Sequence, residues 1–334
     1  YSNMCMKLLS KITAFFLIAT ILGFEASHVE AHIHEGEHSR NSMVLELDDN
    51  GLEVYTHRDD HEHAPHKHLN LITKNERDNS LNISASEFKN NIDFIYYPSC
   101  VGRVISANNA RESLSKVLID LCEFSNIQLF IPEKIQGTCC GMPFSSKGYI
   151  QAGKTMTEQT VDLIFKVSKQ GKIPILVDTT QCSLHLIEAG AGLDKNYQEK
   201  WKQLDFVDVL PFLAELVKGK DQPQLDRDII LHPTCSTQKM ENVDLMISLA
   251  EKCATKVIIP ENYGCCGFAG DRGLLFPELT KNATKDVVDS LKNISTKVNG
   301  YSSSRTCEIG MMTATKHNYE SIVFLVRDYL QSNV

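Results

Sequence analysis

From Phe94 onward the chain runs one order of elements and cysteines through twice, and few folds accommodate such a pattern. The first copy opens with a β-rich run, DFIYYPSC, ending at Cys100. SLSKVLIDLCEF follows with apolar residues at helical spacing, then a strand, IQLFIPE. The loop GTCCGMPFSSKGY precedes a helix expected near 153–169, and the copy closes in KIPILVDTTQC at Cys182. In the second copy DIILHPTC ends at Cys235, VDLMISLAEKCA is helical and KVIIPE is a strand. GCCGFAGDRG, a helix expected near 278–293 and GYSSSRTC, ending at Cys307, complete it.

Strands alternating with helices predict βαβ units and a parallel sheet. A repeat this long predicts duplicated domains rather than a solenoid. The expected fold class is therefore α/β, with two duplicated Rossmann-like βαβ domains over 92–204 and 229–334. Between them, residues 205–228 carry VDVLPFLAELVKG, read as an amphipathic bridging helix.

Each copy brings four thiols to the C-terminal ends of strands, where ligands gather in open α/β sheets. The first supplies Cys100, Cys139, Cys140 and Cys182, spaced C-x38-CC-x41-C. The second supplies Cys235, Cys265, Cys266 and Cys307, spaced C-x29-CC-x40-C. Adjacent cysteines have Cα atoms about 3.8 Å apart, too close for a relaxed disulfide at roughly 4.4–6.8 Å. Reduced, metal-ligating thiols fit better and imply a reducing compartment. Four thiolates match the ligand count of a [4Fe–4S] cluster, so one or two such clusters are expected. Zinc and plain buried thiols remain open, although neither copy has the short C-x2–4-C knuckles usual in structural zinc sites. Gly141 and Gly267 leave room for close backbone approach, and a helix starting just after each pair would point its N–H groups at an anion. Cys122 and Cys253 fall within apolar helices and are read as core residues.

The N-terminal part speaks of another context. In residues 1–31, Lys7 and Lys11 precede the apolar run ITAFFLIATILGF, with Ala26 and Ala31 behind it, as in a secretory signal peptide. Residues 32–91 read as a polar, largely disordered segment, and nine of the twelve histidines lie within 28–90. Such density binds zinc, nickel or copper, and a solvated low-complexity tail explains it equally well. A hairpin around Asn50-Gly51 is expected in MVLELDDNGLEVYTH. An exported leader conflicts with a module of reduced thiols. Together with Tyr1 in place of Met, that is what a fragment, a misjoined frame or a fusion would show.

At the loops YYPSCVGR, GTCCGMPFSSKGY, LHPTCS, GCCGFAGDRGLLFPELT and YSSSRTCEIGM, which span roughly 94–330, the chain resembles the cysteine-rich CCG domain pair of iron–sulfur oxidoreductases. That family includes the iron–sulfur subunit of glycolate oxidase, a subunit of heterodisulfide reductase and one of the lactate-utilisation complex. The sequence most resembles the C-terminal region of FAD-linked D-lactate dehydrogenases. The resemblance implies an oxidoreductase component acting on CH–OH groups of a 2-hydroxy acid such as D-lactate or glycolate. It implies FAD on a partner or missing domain rather than on this chain, a quinone or cytochrome as acceptor, and peripheral association with the inner face of a membrane. It implies a cytoplasmic setting, against the signal-like segment.

Two departures from the family matter. Its copies close in C-x-x-C, but Thr179 and Ser304 stand at the first of those positions here. That weakens the five-cysteine, non-cubane cluster and disulfide reduction of the heterodisulfide type. The C-x2-C-x2-C-x3-C-P motif of its relatives does not occur in these residues. An exported zinc-binding protein is the alternative from another class. A formal net charge of −8 argues against nucleic acid as a partner.

Overall fold

The computed structural model describes residues 44–47, 53–56, 67–69, 92–104, 112–270 and 272–332. The signal-like segment and nearly all the histidine-rich stretch lie outside these residues. Within that stretch, strands β1 (Val44–Leu47), β2 (Glu53–Thr56) and β3 (Lys67–Leu69) form an antiparallel sheet in sequence order. Strands β1 and β2 of the expected hairpin pair antiparallel, Leu47 opposite Glu53, and Asn50-Gly51 lies outside the described residues.

The first half runs β4 (Phe94–Tyr97), α1 (Cys100–Val104), α2 (Leu114–Phe124), β5 (Leu129–Phe130), α3 (Met142–Ser145) and α4 (Ile150–Val167). It continues with β6 (Ile175–Val177), α5 (Thr180–Glu188), α6 (Lys195–Trp201), β7 (Phe206–Asp208) and α7 (Val209–Val217). The second half runs β8 (Leu225–Leu231), α8 (Cys235–Lys239), α9 (Val243–Cys253), β9 (Ala254–Ile258), α10 (Arg272–Leu275), α11 (Pro277–Ala283) and α12 (Lys285–Leu291). It closes with β10 (Gly300–Ser302), α13 (Arg305–Thr315), β11 (Tyr319–Ser321) and α14 (Ile322–Gln331).

Two four-stranded parallel sheets result, ordered β5-β4-β6-β7 and β9-β8-β10-β11. The α/β reading with duplicated domains therefore holds, and the strand order is the same in both halves. The strands read as continuous apolar runs because helices cover both faces of a parallel sheet. Ile95, Tyr96, Tyr97, Ile175, Leu176 and Val177 are all fully buried.

The repeat extends further than the cysteine pattern shows. Residues 205–228 supply β7, the fourth strand of the first sheet, before α7 begins. In the second half β11 and α14 repeat that pair. Both helices start on a side-chain cap, Asp208 accepting from Leu210 N and Ser321 accepting from Val323 N.

These final helices cross over. Helix α7 packs on α9 of the second half, α14 packs on α2 of the first, and α7 and α14 also touch each other. Their apolar faces explain this: Leu210, Leu213, Val323, Leu325, Val326 and Tyr329 are buried in a cluster that also holds Leu118, Leu121, Leu249 and Ala250. The halves thus share one core. Cys122 and Cys253 belong to it, as their apolar helices suggested.

A shared core should unfold as one unit. Leu325→Ala, in the second half, is expected to cost about 2–5 kcal/mol. Trp201, the single tryptophan, sits in the first half and should report that loss in urea unfolding followed by fluorescence. An unchanged fluorescence midpoint would show the halves to be independent.

Candidate metal centres

In the first half the fold carries all four thiols to the C-terminal edge of the sheet. Cys100 opens α1 just beyond β4, Cys139 and Cys140 follow β5, and Cys182 lies in the first turn of α5 beyond β6. Cys100 Sγ stands 3.9 Å from Cys139 Sγ, and Cys140 Sγ lies 3.5 Å from Cys182 Sγ. All four are buried. Hydrogen bonding to Cys139, with burial, pushes the Cys100 thiol well above its ordinary range.

Several groups hold this loop in place. Thr157 and Thr160 on α4 donate to the carbonyls of Cys140 and Cys139, at 2.7 and 2.8 Å. Arg103 donates to the carbonyls of Ile135 and Thr138, which lead into the pair. Buried Asp178 accepts from Ser99 N at 2.9 Å and Tyr96 Oη at 2.8 Å, fixing the turn before Cys100. Gly141 N–H approaches Cys139 Sγ at 3.5 Å.

The second half repeats the arrangement in a more open form. Cys266 donates to Cys307 Sγ at 3.3 Å, and Gly267 N–H approaches Cys265 Sγ at 3.3 Å. Cys265 is exposed and Cys235 half-buried, while Cys266 and Cys307 are buried. Hydrogen bonds from Cys235 and Cys266 pull the Cys265 thiol far below its ordinary range. Cys307 is lowered to about 6 by the hydrogen bond from Cys266, with His232 acting in the same direction against burial. Where Thr157 and the Gly153 carbonyl stand against Gly141 in the first half, Ala283 and the Leu279 carbonyl stand against Gly267, and among the described residues no hydroxyl donor to the carbonyls of this pair is found.

Both centres adjoin the seam between the halves. Helix α1, bearing Cys100, packs on α13, bearing Cys307, and α8, bearing Cys235, packs on α5, bearing Cys182. Gln181, next to Cys182, reaches across to Cys307 Sγ at 3.8 Å and accepts from Ser304 Oγ at 2.8 Å and Thr306 Oγ1 at 3.1 Å.

Among the described residues, no three His, Cys, Asp or Glu side chains surround a point that would hold a single metal ion. The thiols of each half lie instead as two pairs. A cubane cluster takes one thiolate per iron, and four thiols in each half match that ligand count. The donor set of four thiols in each half thus fits an iron–sulfur cluster.

Other residues near the loops prove to be engaged with protein groups. Ser302 donates to the His232 carbonyl, Ser303 bonds Thr237 and Ser304 donates to Gln181. Ser146 donates to the Pro143 carbonyl, and Arg272 donates across the seam to the Ser146 carbonyl. Asp271 lies outside the described residues. Thr179, in the place of a fifth thiol, donates to Ser99 and Asp178. The expected helix after each Cys-Cys-Gly is a single turn in the first half, and in the second α10 starts only at Arg272. The glycines serve helix packing: a Cβ on Gly141 would meet the Gly153 carbonyl oxygen at 2.4 Å, and one on Gly267 the Leu279 oxygen at 2.6 Å.

One residue at the first centre gave no cysteine signal. Tyr97 is fully buried, and its hydroxyl finds no hydrogen-bond partner among the described residues. It lies close enough to Cys140, Cys139 and Cys182 for their charge to oppose its ionisation. Its counterpart in the repeat is His232, since YPSC and HPTC occupy the same place.

A family model described as the cysteine-rich domain, CCG, matches residues 94–187 and 229–308, more than half of the chain. Lactate utilization protein A 1 of Bacillus mycoides (strain KBAB4) is 24% identical over 184 residues, covering 52% of this chain and 72% of that protein. A solved structure of an aspartate racemase homologue from Pyrococcus horikoshii OT3 superposes with a TM-score of 0.28 at 11% identity, over 72% of this chain and 99% of that one. A likeness that low carries no argument.

Gly141 and Gly148 both have positive φ, 94° and 86°, but no atom lies near a Cβ built on Gly148. Alanine at either position strains the backbone. Gly141→Ala is expected to cost at least about 1–3 kcal/mol more than Gly148→Ala through the clash with α4. Denaturation midpoints of the two variants check this.

Proposed function

The chain belongs to the cysteine-rich CCG family, and we propose that it is the iron–sulfur component of a lactate-oxidising system. The observation that carries this reading is the convergence of eight cysteines into two four-thiol centres at matched places of a duplicated fold. Cys100, Cys139, Cys140 and Cys182 would hold one cluster, and Cys235, Cys265, Cys266 and Cys307 the other. Lactate utilization protein A 1 contributes the substrate class, a 2-hydroxy acid such as lactate.

Bound at these thiolates, clusters would supply one-electron carriers between a two-electron flavin and an acceptor that takes electrons singly. The chain offers no dinucleotide fingerprint, so the flavin is assigned to a partner domain or subunit, with a quinone or cytochrome as acceptor. The chain's own residues divide the work. Burial of all four thiols excludes water from the first centre, and exposed Cys265 leaves the second open to a partner. Gln181 spans the seam from the turn of Cys182 to Cys307, which keeps the two centres adjacent. Hydroxyls at Thr179 and Ser304 take hydrogen bonds of their own, which favours four thiolates in each half over five.

We infer a cytoplasmic setting, at the inner face of a membrane, because a module of metal-ligating thiols suits a reducing compartment. No helix among the described residues is long and apolar enough to cross one.

Anaerobic purification with iron and sulfide analysis tests the reading. Two cubane clusters correspond to about eight iron per chain, and Cys140→Ser or Cys266→Ser should each lower that to about four. The reduced protein should show the EPR signals of two clusters. A colourless chain that retains zinc and no iron overturns the reading.

A further inference from the structure

At the end of the first strand of each half stands one buried polar side chain with no nitrogen or oxygen partner among the described residues. Tyr97 ends β4, three residues before Cys100. His232 follows β8 directly, three residues before Cys235, and its backbone N–H still pairs with Tyr301 O at 2.9 Å. The exposures are 0% for Tyr97 and 1% for His232. Among the described residues Tyr97 Oη has no hydrogen-bond partner, and neither ring nitrogen of His232 is bonded to a protein nitrogen or oxygen.

The neighbouring tyrosine shows that this is a local choice. Tyr96 is equally buried, and its hydroxyl bonds both Asp178 and Ser115, at 2.8 and 3.1 Å. Along a strand successive side chains alternate faces, so Tyr96 and Tyr97 meet different surroundings. The fold satisfies one phenol fully and leaves the other, three residues before Cys100, without a partner among the described residues. A buried donor without an acceptor costs free energy, so its retention at the same place in both copies points to an acceptor supplied from outside the chain. Thiols lie near both places: Cys140, Cys139 and Cys182, together with Arg103, near Tyr97, and Cys307 and Cys265 near His232.

We propose that Tyr97 and His232 are matched hydrogen-bond donors to the sulfur of the groups held by the adjacent thiolates, and that the exchange of phenol for imidazole sets the two centres at different potentials. This rests on the iron–sulfur reading above. A phenol is neutral at ordinary pH, so Tyr97 offers an O–H donor. A donor to cluster sulfur stabilises the reduced, more negative state and raises the potential. Neither side chain is a ligand; both are positioning and tuning residues.

The test uses the full chain loaded anaerobically with iron and sulfide, titrated potentiometrically with EPR detection. Tyr97→Phe removes one oxygen; it should keep its iron, lower the potential of one signal and leave the other unmoved. His232→Leu should lower the other signal, and His232→Gln, which retains an N–H donor, should restore it towards the wild-type value. In the unloaded chain Tyr97→Phe should leave the denaturation midpoint unchanged or raised, since no protein partner is lost. Unchanged potentials in iron-loaded variants overturn the proposal, as does loss of iron from Tyr97→Phe or a destabilised unloaded chain. A wild-type chain that takes up no iron overturns the iron–sulfur reading and this proposal with it, which separates the two failures.

Discussion

The last helix of each half is buried partly against the other half. Helix α7 leaves the first sheet and lies on α9, and α14 leaves the second and lies on α2, so each half closes the core of the other. This exchange sets everything downstream. It brings α1 against α13 and α8 against α5, the four helices whose first turns carry Cys100, Cys307, Cys235 and Cys182. Two centres that could have stood at opposite ends of a linked pair instead share a seam bridged by Gln181. Apolar burial supplies the free energy, and the placement of the thiols follows from the direction of parallel strands, whose C-terminal ends all point to one edge.

Duplication produces two like frames, yet the centres differ in character. In the first, Thr157 and Thr160 pin the Cys-Cys carbonyls and every thiol is buried. In the second no such anchors are found among the described residues, Cys265 is exposed, and an imidazole replaces a phenol. A low-dielectric site and a partly hydrated one stabilise charge to different degrees, so the same four thiols meet different electrostatic surroundings. One centre is shielded from water, and the other faces solvent at Cys265.

Much of this was legible from residue order alone. The alternation DFIYYPSC, SLSKVLIDLCEF and IQLFIPE announced parallel βαβ units, because such strands are apolar on both faces. Eight of the cysteines were separable from Cys122 and Cys253 by their place in loops rather than on apolar helix faces. The limits of the repeat were harder to see. With only three residues, Phe206–Asp208 carry too little periodicity to announce a strand, and an amphipathic helix reads the same whether it bridges two domains or closes the opposite one. The glycines after the cysteine pairs were read as places of close backbone approach, and what approaches them is the backbone of α4 and α11.

What the sequence determined by itself was the class of fold and the matched placing of eight cysteines in its two halves, since both follow from residue type and spacing. The tertiary structure decided which groups stand around those cysteines. Tyr97 and Tyr96 are neighbours of the same type, and no pattern distinguishes them. Strand alternation turns one towards Asp178 and Ser115 and leaves the other with no partner of its own among the described residues. Whether a buried polar group is answered depends on residues far away in the chain that only folding brings near, and that is why the likeness of Tyr97 to His232 emerges in space.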